Sequence, residues 1–339
     1  MTQPPRRQRR PDAQRGGRLA AAAAALSVLG GATPAAGQVG SALVAVPWKP
    51  GQSLGITSYA IGLDTDTRSD RFGAGDELTL ARVVSFGRYR PNPDNPRGLS
   101  VGWLYDHTEL STDDPRLPDR LETTAVAVGA PLGRYNGWDT GFTAGGGFSG
   151  DLPYADGDAW YGVGSLFARK QLGQTPTFIT WFIDYDGSRS FLPDVPIPAV
   201  QYTVRESATL SYSIGLPFSS VSWQPDDRWS IDVKFLVPVA GSTEISYRAT
   251  DRWSAYFMYE TSTRAYHLAG DDDRRRLFFE QSRTELGARF ALTPEVTLSA
   301  AGGYAFQQEF TRGWDSRRLR LVRDVDDAAY LRMGLTAGF

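Results

Sequence analysis

The sequence predicts an all-β protein that crosses a membrane as one antiparallel β-barrel of 12 or 14 strands, after a cleaved signal peptide. Three observations support this fold class. The chain begins with a basic, then an apolar, then a small-residue segment. Apolar residues recur at every second position over long runs. The last run keeps this alternation up to a terminal Phe339.

The first 37 residues have the order of features found in a secretory signal peptide. Six arginines lie between Arg6 and Arg18, residues 19–31 form a short and mostly alanine run, and Ala35-Ala36-Gly37 offers small residues to a signal peptidase. The apolar run is too short to span a membrane as a helix. We therefore expect a signal peptide at 1–37 and an outer-membrane barrel at 38–339.

Composition excludes several classes of function. Without residues 1–37 the chain keeps 30 basic and 37 acidic residues, so its surface does not favour nucleic acid, which requires basic patches. The chain has no cysteine, which excludes disulfides, thiolate metal sites and a lipidated cysteine. Outside the first 37 residues no run approaches about 18 apolar residues, so we expect no transmembrane helix.

Alternation with period two is the main structural signal. Trp229, Ile231, Val233 and Phe235 share one face of a strand, and the residues between them are polar. Many such runs reach about 10 residues, as a tilted membrane strand requires, whereas strands of a soluble sandwich average about 5–6. Aromatic residues lie at strand ends and charges at mid-strand, which a wet barrel interior tolerates and a sandwich core does not.

Fourteen runs are candidate strands, and the connections between them alternate in length. The strands are expected near 52–63, 77–89, 98–109, 120–130, 139–149, 158–170, 177–186, 208–218, 220–224 with 229–239, 242–250, 252–266, 277–291, 295–309 and 328–339. Long connections are expected at 64–76, 110–119, 187–198, 268–276 and 311–327, and short turns at 225–227, 250–251 and 293–294.

Two places in this assignment are ambiguous. Pro193, Pro196, Pro198 and Pro217 interrupt residues 187–224, and proline is poorly placed inside a closed ladder. In the run 77–89, Arg82 falls in the same row as apolar residues that we expect to face lipid. A bulge, or a position from which Arg82 reaches the interface, would be needed there.

The repeated tetrapeptide Asp-Arg-Trp-Ser, at 227–230 and 251–254, indicates a hairpin repeat. The two copies are 24 residues apart, which is about the length of two strands and two connections. Both copies are therefore expected at short turns on one rim of the barrel.

Several segments of the mature chain resemble a family of uncharacterised bacterial outer-membrane β-barrel proteins, known only as a domain of unknown function. The segments are Gly215-Leu216-Pro217-Phe218, Trp223-Gln224-Pro225, 238–247, Glu285-Leu286-Gly287-Ala288-Arg289, Gly302-Gly303-Tyr304-Ala305-Phe306 and Tyr330-Leu331-Arg332. The resemblance lies mostly in the C-terminal half. It implies the barrel architecture and the outer membrane, and it brings no activity and no catalytic residues.

The sequence gives little support for a catalytic site or a metal site. The two histidines are His107 and His267; His107 follows Asp106 on a strand, where adjacent residues point to opposite faces. The acidic group around Asp64 lacks the pattern of a calcium loop, and the acidic run 271–273 is followed at once by three arginines that can neutralise it. Gly145-Gly146-Gly147 indicates a crowded or kinked strand rather than a phosphate loop. We expect no enzyme, no cofactor and no metal.

The leading functional prediction is a passive pore for small solutes. Mixed charges on the polar faces of several strands would line the lumen and tune its selectivity: Asp184, Asp232, Lys234, Arg248, Glu260, Arg283, Glu285 and Arg289.

Two alternatives stay open beside the pore. In the first, the charges pair across a filled lumen in a structural or surface-recognition barrel. In the second, less favoured, an outer-membrane hydrolase uses a histidine beside a serine or carboxylate at the outer rim. The expected partners are outer-membrane lipid, lipopolysaccharide and, through the strand that ends at Phe339, the barrel-assembly machinery.

Overall fold

The computed structural model describes residues 53–64, 77–92, 98–174, 176–236, 240–272 and 275–338, and these residues form strands and their connections. The predicted signal segment 1–37 and Phe339 lie outside this part of the chain. Within it, no helix is long and apolar enough to cross a membrane. The strands are β1 Ser53–Asp64, β2 Glu77–Tyr89, β3 Ser100–Thr112, β4 Arg120–Tyr135, β5 Trp138–Gly150, β6 Trp160–Gln171, β7 Thr177–Asp186, β8 Ile197–Arg205, β9 Leu210–Leu216, β10 Phe218–Trp223, β11 Trp229–Leu236, β12 Ala240–Arg248, β13 Trp253–His267, β14 Arg276–Ala291, β15 Val296–Gly313, β16 Arg320–Val325 and β17 Ala328–Gly338.

The strands close into a 16-stranded antiparallel barrel. Each strand from β1 to β15 pairs with the next, β15 pairs with β17 from Val296↔Ala337 to Ala305↔Ala328, and β17 pairs with β1 from Ser53↔Gly338 to Ile61↔Tyr330. The short strand β16 pairs only with the end of β15 and stands outside the ring. Closure removes both free edges, which is how a β-structure satisfies its backbone in a membrane.

The predicted count of 12 or 14 strands is wrong because proline and turn signals were misread. The expected break at 187–224 contains strand β8, in which Pro198 pairs with Ile183 near the start of the strand, a position that tolerates proline. Residues 220–224 and 229–239 were taken as one strand, but a turn at 224–228 separates β10 from β11. Pro217 lies in the one-residue break between β9 and β10. These two extra strands raise the expected 14 to 16.

The two ends of the barrel differ in the length of their connections. At one end, here the turn end, most described connections have two to five residues, and hydroxyl or carboxylate groups cap them. Thr250 Oγ1 accepts from the Trp253 N–H at 3.0 Å, and Thr293 Oγ1 accepts from the Val296 N–H at 3.1 Å. The opposite loop end carries most of the long connections, among them 113–119, 151–159 and 187–196. Short periplasmic turns and long outer loops are typical of outer-membrane barrels.

The outward face is apolar with aromatic residues near both ends. Leu286 and Leu331 are 68% and 69% exposed on it. At the turn end Trp229 packs on Tyr247 with ring centroids 4.9 Å apart, and Trp253 packs on Phe290 at 4.7 Å. Both tryptophans belong to the repeated tetrapeptide, which lies at the start of β11 and of β13 as predicted. Such aromatic belts mark membrane interfaces.

The wall of the barrel has unequal height. Strands β9 and β10 have 7 and 6 residues, whereas β4 and β14 have 16 each. At about 3.3 Å per residue and a tilt of about 40°, seven residues rise about 18 Å, less than the apolar band of about 25 Å. The wall is therefore low on the side formed by β8–β12.

Opposite walls touch inside the loop end. Beyond Ser262 strand β13 no longer pairs with β12, and it crosses to β5, where His267 pairs with Gly150. Ser149 Oγ donates to the Ala265 carbonyl at 2.9 Å, and the Asp151 N–H donates to the His267 carbonyl at 3.3 Å. We call the crossing ends of β13 and β14 the partition, residues 263–267 and 276–279.

Glycine makes room along β5, as the predicted crowding of residues 145–147 requires. A Cβ on Gly145 would lie 2.0 Å from the Val126 carbonyl oxygen, and one on Gly147 would lie 2.3 Å from that of Thr124. The prediction of a crowded strand is confirmed.

One face of the partition bounds a large apolar cluster inside the barrel, here the outer core. Its buried members come from β2–β4, β13–β17 and the loops 113–119 and 268–275: Leu78, Leu80, Leu110, Leu117, Leu121, Tyr266, Leu268, Leu277, Phe279, Ala305, Phe310, Val325, Ala328 and Tyr330. The expectation that the apolar row of β2 faces lipid is therefore wrong. That row fills the interior, and Arg82, which is 2% exposed, lies inside with it.

Candidate functional site

A ladder of ion pairs fills the middle of the lumen. Arg82 pairs with Asp106, Arg332 with Glu285, Arg283 with Glu260 at 2.8 Å, and Arg289 with Glu244 at 2.6 Å. Except for the last pair, these side chains are at most 4% exposed. A buried ion pair is stable only if the remaining polar atoms of both partners also form hydrogen bonds. Two tyrosines provide them here: Tyr330 donates to Glu285 at 2.9 Å, and Tyr256 accepts from Arg332 at 2.7 Å.

The ladder joins strands that are far apart in the ring. Arg264 of β13 lies 3.9 Å from Asp106 of β3, six strands away in the ring, whereas Arg332 of β17 reaches Glu285 of β14 across β15 alone. Side chains from opposite walls can approach this closely only if the lumen is filled between them at that level.

The predicted lumen residues fall into three groups. Glu260, Arg283, Glu285 and Arg289 belong to the ladder. Asp232 and Arg248 line a polar hollow of about 380 Å³ at the turn end, together with Glu244 and Arg289. By strand register Lys234 shares the face of Asp232. Asp184, the last of the eight, lies under the loop described next. That these residues line a conducting path stays a prediction.

Sequence reasoning missed half of the ladder. Arg82 was assigned to a lipid-facing row, Asp106 was considered only beside His107, and Glu244 and Arg264 were not singled out. Arg332 carried a usable signal, since it falls opposite the apolar row Leu331–Met333. The pairing itself depends on which distant strands meet, and period-two patterning holds no such information.

The loop 187–196, here the lid, closes the other half of the loop end. Its near side is fixed to β7, because Arg189 pairs with Asp184 at 2.5 Å and Ser165 Oγ donates to the same carboxylate at 2.6 Å. Ser190 is fully buried. Phe191 packs, as Phe218 does, against the cluster of Leu236 and Ala240 at the top of the low wall. The lid therefore covers the interior beside the short strands.

The far side of the lid is latched to the partition and to the loop 314–319. Arg276 donates to the Ser188 carbonyl at 3.2 Å and to the Arg189 carbonyl at 2.9 Å. The Ser316 N–H donates to the Ser190 carbonyl at 2.8 Å.

A carboxylate completes the latch, because the Leu192 N–H donates to Asp315. Burial raises the pKa of Asp315, but hydrogen bonds from Arg317 and from the Leu192 backbone outweigh it and hold that pKa below its ordinary value. The lid is thus joined across the lumen by hydrogen bonds and one buried carboxylate.

His107 lies on the outer surface of β3, away from the ladder. Asp106 points inward and His107 points outward, so the two lie on opposite faces of the strand as predicted. The His107 Nδ1 is 3.2 Å from Glu122 Oε2, and its Nε2 is 3.7 Å from Glu109 Oε1. The contact that the hydrolase hypothesis requires is therefore present, but both ring nitrogens face carboxylates.

The acidic loops provide no metal centre within the described residues. Asp271 pairs with Arg312 at 2.8 Å, and Asp66, Asp70 and Asp273 lie outside the described part of the chain. Across that part, no group of three or more histidine, aspartate or glutamate side chains could hold a metal ion.

Comparison with known proteins gives one family match. Residues 205–332 match the family model described as Domain of unknown function (DUF6268). No curated protein sequence matches the chain.

Several solved structures are similar in form. An outer-membrane channel from Pseudomonas putida F1 has 11% identity and a TM-score of 0.36, over 86% of this chain and 96% of that one. A Pseudomonas aeruginosa FadL homologue has 11% identity and a TM-score of 0.37, over 92% and 98%. A mutant of the TodX monoaromatic hydrocarbon channel has 10% identity and a TM-score of 0.39, over 88% and 93%.

The closed barrel, its apolar outward face and its aromatic belts are features of an outer-membrane β-barrel. The chain is an outer-membrane β-barrel whose residues 205–332 match a domain of unknown function.

Proposed function

We propose that this protein is a channel for passive passage of small solutes, closed by the lid in the conformation described. The observation that carries the proposal is the lid itself. Barrels of 16 strands are wide enough for an aqueous path. On the side of β6–β12, which includes the low wall, a ten-residue loop covers the outer end of the barrel.

The contacts of the lid suit a closure that can be released. Hydrogen bonds from Arg276 and Ser316 and the carboxylate of Asp315 hold its far side. The opposite half of the barrel is filled by the outer core, whose apolar side chains are costly to expose. We therefore place the solute path under the lid, between β6–β12 and the ladder.

A structural or surface-recognition barrel is the second candidate, and the paired charges of the ladder favour it. That function requires a filled lumen and ordered outer loops. It differs from the channel in one respect, which is that freeing the lid would leave the barrel impermeable.

We propose no enzymatic activity. A hydrolase needs one imidazole nitrogen directed at a nucleophile or a water. In His107 each nitrogen faces a glutamate, at 3.2 Å and 3.7 Å. The proposed partners are outer-membrane lipid and lipopolysaccharide around the barrel, and the assembly machinery at the strand that ends in Phe339.

Solute uptake into liposomes that contain residues 38–339 tests the channel. Asp315→Asn, which weakens the latch, is expected to raise uptake of small sugars and ions severalfold over the wild type. Asp113→Asn, a change at an exposed position in another outer loop, is the matched control and is expected to leave uptake unchanged.

A reversible lock separates the channel from the impermeable barrel. Ser190→Cys with Ser316→Cys places two cysteines at a backbone hydrogen bond of 2.8 Å in a chain that has no other cysteine. Oxidation is expected to abolish uptake and reduction to restore it. Equal, background uptake by the wild type, Asp315→Asn and the reduced lock variant would favour the structural barrel.

A further inference from the structure

The charges of the ladder do not balance in its loop-end half. Arg283 pairs with Glu260 and Arg332 pairs with Glu285, so each of these pairs is neutral. Asp106 is shared: Arg82 takes both of its oxygens, and Arg264 lies 3.9 Å from one of them, beyond hydrogen-bond distance. Two guanidinium groups therefore face one carboxylate, which leaves one positive charge in excess.

Arg264 carries that excess. It is 3% exposed, and its only described hydrogen bond runs from Nη2 to the Ser262 hydroxyl at 3.3 Å. Its Nε and Nη1 are buried and have no hydrogen-bond acceptor among the described residues. An arginine does not lose its proton in proteins, so this charge cannot be removed by titration.

A buried cation without a full partner is unfavourable unless a ligand compensates it. A guanidinium N–H group that lacks an acceptor is a strong donor to an oxygen of a carboxylate or phosphate. Thr108 lies on the same inward face as Asp106, two residues further along β3, and its hydroxyl also has no partner among the described residues. These groups are the donors that a compact oxyanion requires.

We propose that the lumen holds an oxyanion-binding site at Arg264, beneath the outer core. The occupant is a small carboxylate or phosphate group, bound through Nη1 of Arg264 with the Thr108 hydroxyl as a further donor. The site requires only a filled interior and does not require conduction, so evidence against the channel would not be evidence against this site.

The test compares thermal unfolding of refolded 38–339 in sodium phosphate, sodium acetate and sodium chloride at one ionic strength, with sodium gluconate as the bulky reference anion. A ligand that binds only the folded barrel raises Tm with its concentration. The wild type is expected to respond to phosphate or acetate with a saturable rise in Tm. A response to phosphate alone, or to acetate alone, would identify the group that is bound.

Arg264→Gln distinguishes a binding site from a purely structural arginine. It removes the excess charge, so in gluconate the variant is expected to unfold at or above the wild-type Tm. In saturating oxyanion the Tm of the wild type is expected to exceed that of the variant, because the variant binds the oxyanion at least tenfold more weakly. Arg134→Gln, at an exposed pair 3.9 Å from Asp139, is the control and is expected to keep the full response.

Two results would overturn the site. One is a wild-type Tm that rises equally with chloride, or not at all, in the same titration. The other is a loss of stability in Arg264→Gln that is the same in every salt. Should Arg264→Gln fail to refold, Asp106→Asn provides the second variant: it raises the excess charge and is expected to tighten binding of inorganic phosphate, and weaker binding would also overturn the site.

Discussion

At the scale of single residues, the interior is defined by charges that are buried in pairs. The side chain of Arg332 is 2% exposed and that of Glu285 is fully buried. Two tyrosines complete their hydrogen bonds. Removing one partner of such a pair leaves the other charge buried and uncompensated, which is more damaging than losing a pair at the surface.

The substitution Glu285→Gln tests this asymmetry. It is expected to lower the free energy of unfolding by about 3–5 kcal/mol, since Arg332 loses its carboxylate. Glu295→Gln, in an exposed turn at the other end of β14, is expected to change it by less than about 0.5 kcal/mol. Urea unfolding in lipid vesicles, followed by tryptophan fluorescence, measures both. Similar losses in the two variants would contradict a buried ladder.

The latch carboxylate makes a prediction about pH. The pKa of Asp315 is lowered in the folded protein, so its contribution is present above the ordinary aspartate pKa of about 3.9 and is lost as pH falls through the lower folded value. The substitution Val195→Cys introduces a single cysteine into a chain that has none, so a dye can be attached to the lid alone. The dye is expected to report a fixed lid from pH 7 to about 5 and a released lid in stronger acid.

Asp315→Asn provides the control for that titration. Its lid is expected to be looser already at pH 7, with a weaker response to acid. A dye signal that changes between pH 7 and 5 would assign the transition to a different group.

At the scale of elements, β5 shows how sequence permits the walls to meet. Its inward glycines let the strand approach β4 and the β6 side chains closely. Gly147→Ala would place a methyl group 2.3 Å from the Thr124 carbonyl oxygen and 2.5 Å from the Tyr161 ring.

We therefore expect Gly147→Ala to destabilise the barrel by about 1–3 kcal/mol, as overpacking does elsewhere. Gly157→Ala, in the neighbouring loop, has no atom within 4 Å of the new Cβ and is expected to be neutral. Urea unfolding of the two variants checks the difference, and equal stability would mean that β5 is not crowded.

The elements also show how far sequence reasoning reaches. Period-two alternation identified most strands, since a barrel wall separates lipid from interior residue by residue. It failed at β8, where Pro198 lies inside a strand, and at β2, where the apolar row faces a filled interior instead of lipid. Alternation gives the two faces of a strand but does not say which face is inside.

The candidate site was harder to predict from the sequence than the fold was. Sequence placed four of the ladder residues on inward faces, Glu260, Arg283, Glu285 and Arg289, but it did not single out Arg332 and Glu244, the partners of the last two. The partition explains why: β13 leaves β12 beyond Ser262 and meets β5 across the ring, a contact between residues more than 100 positions apart. No local pattern encodes such a contact.

At the scale of the whole molecule, the barrel is divided at its loop end into two halves. One half is filled by the outer core, and the other is covered by the lid over a low wall. An open pore would need neither the latch nor the paired ladder. We therefore propose that the barrel has porin-like width, is closed at rest and opens on one side only.

Single-channel conductance of refolded 38–339 in a planar bilayer, with the Ser190→Cys, Ser316→Cys lock, tests this account most directly. The predicted record for the wild type at pH 7 is a mostly closed channel with brief openings. Oxidation of the lock should remove the openings and reduction should restore them. A steady ohmic conductance in the wild type that oxidation leaves unchanged would contradict the account, because ions would then pass by a route that the lid does not cover.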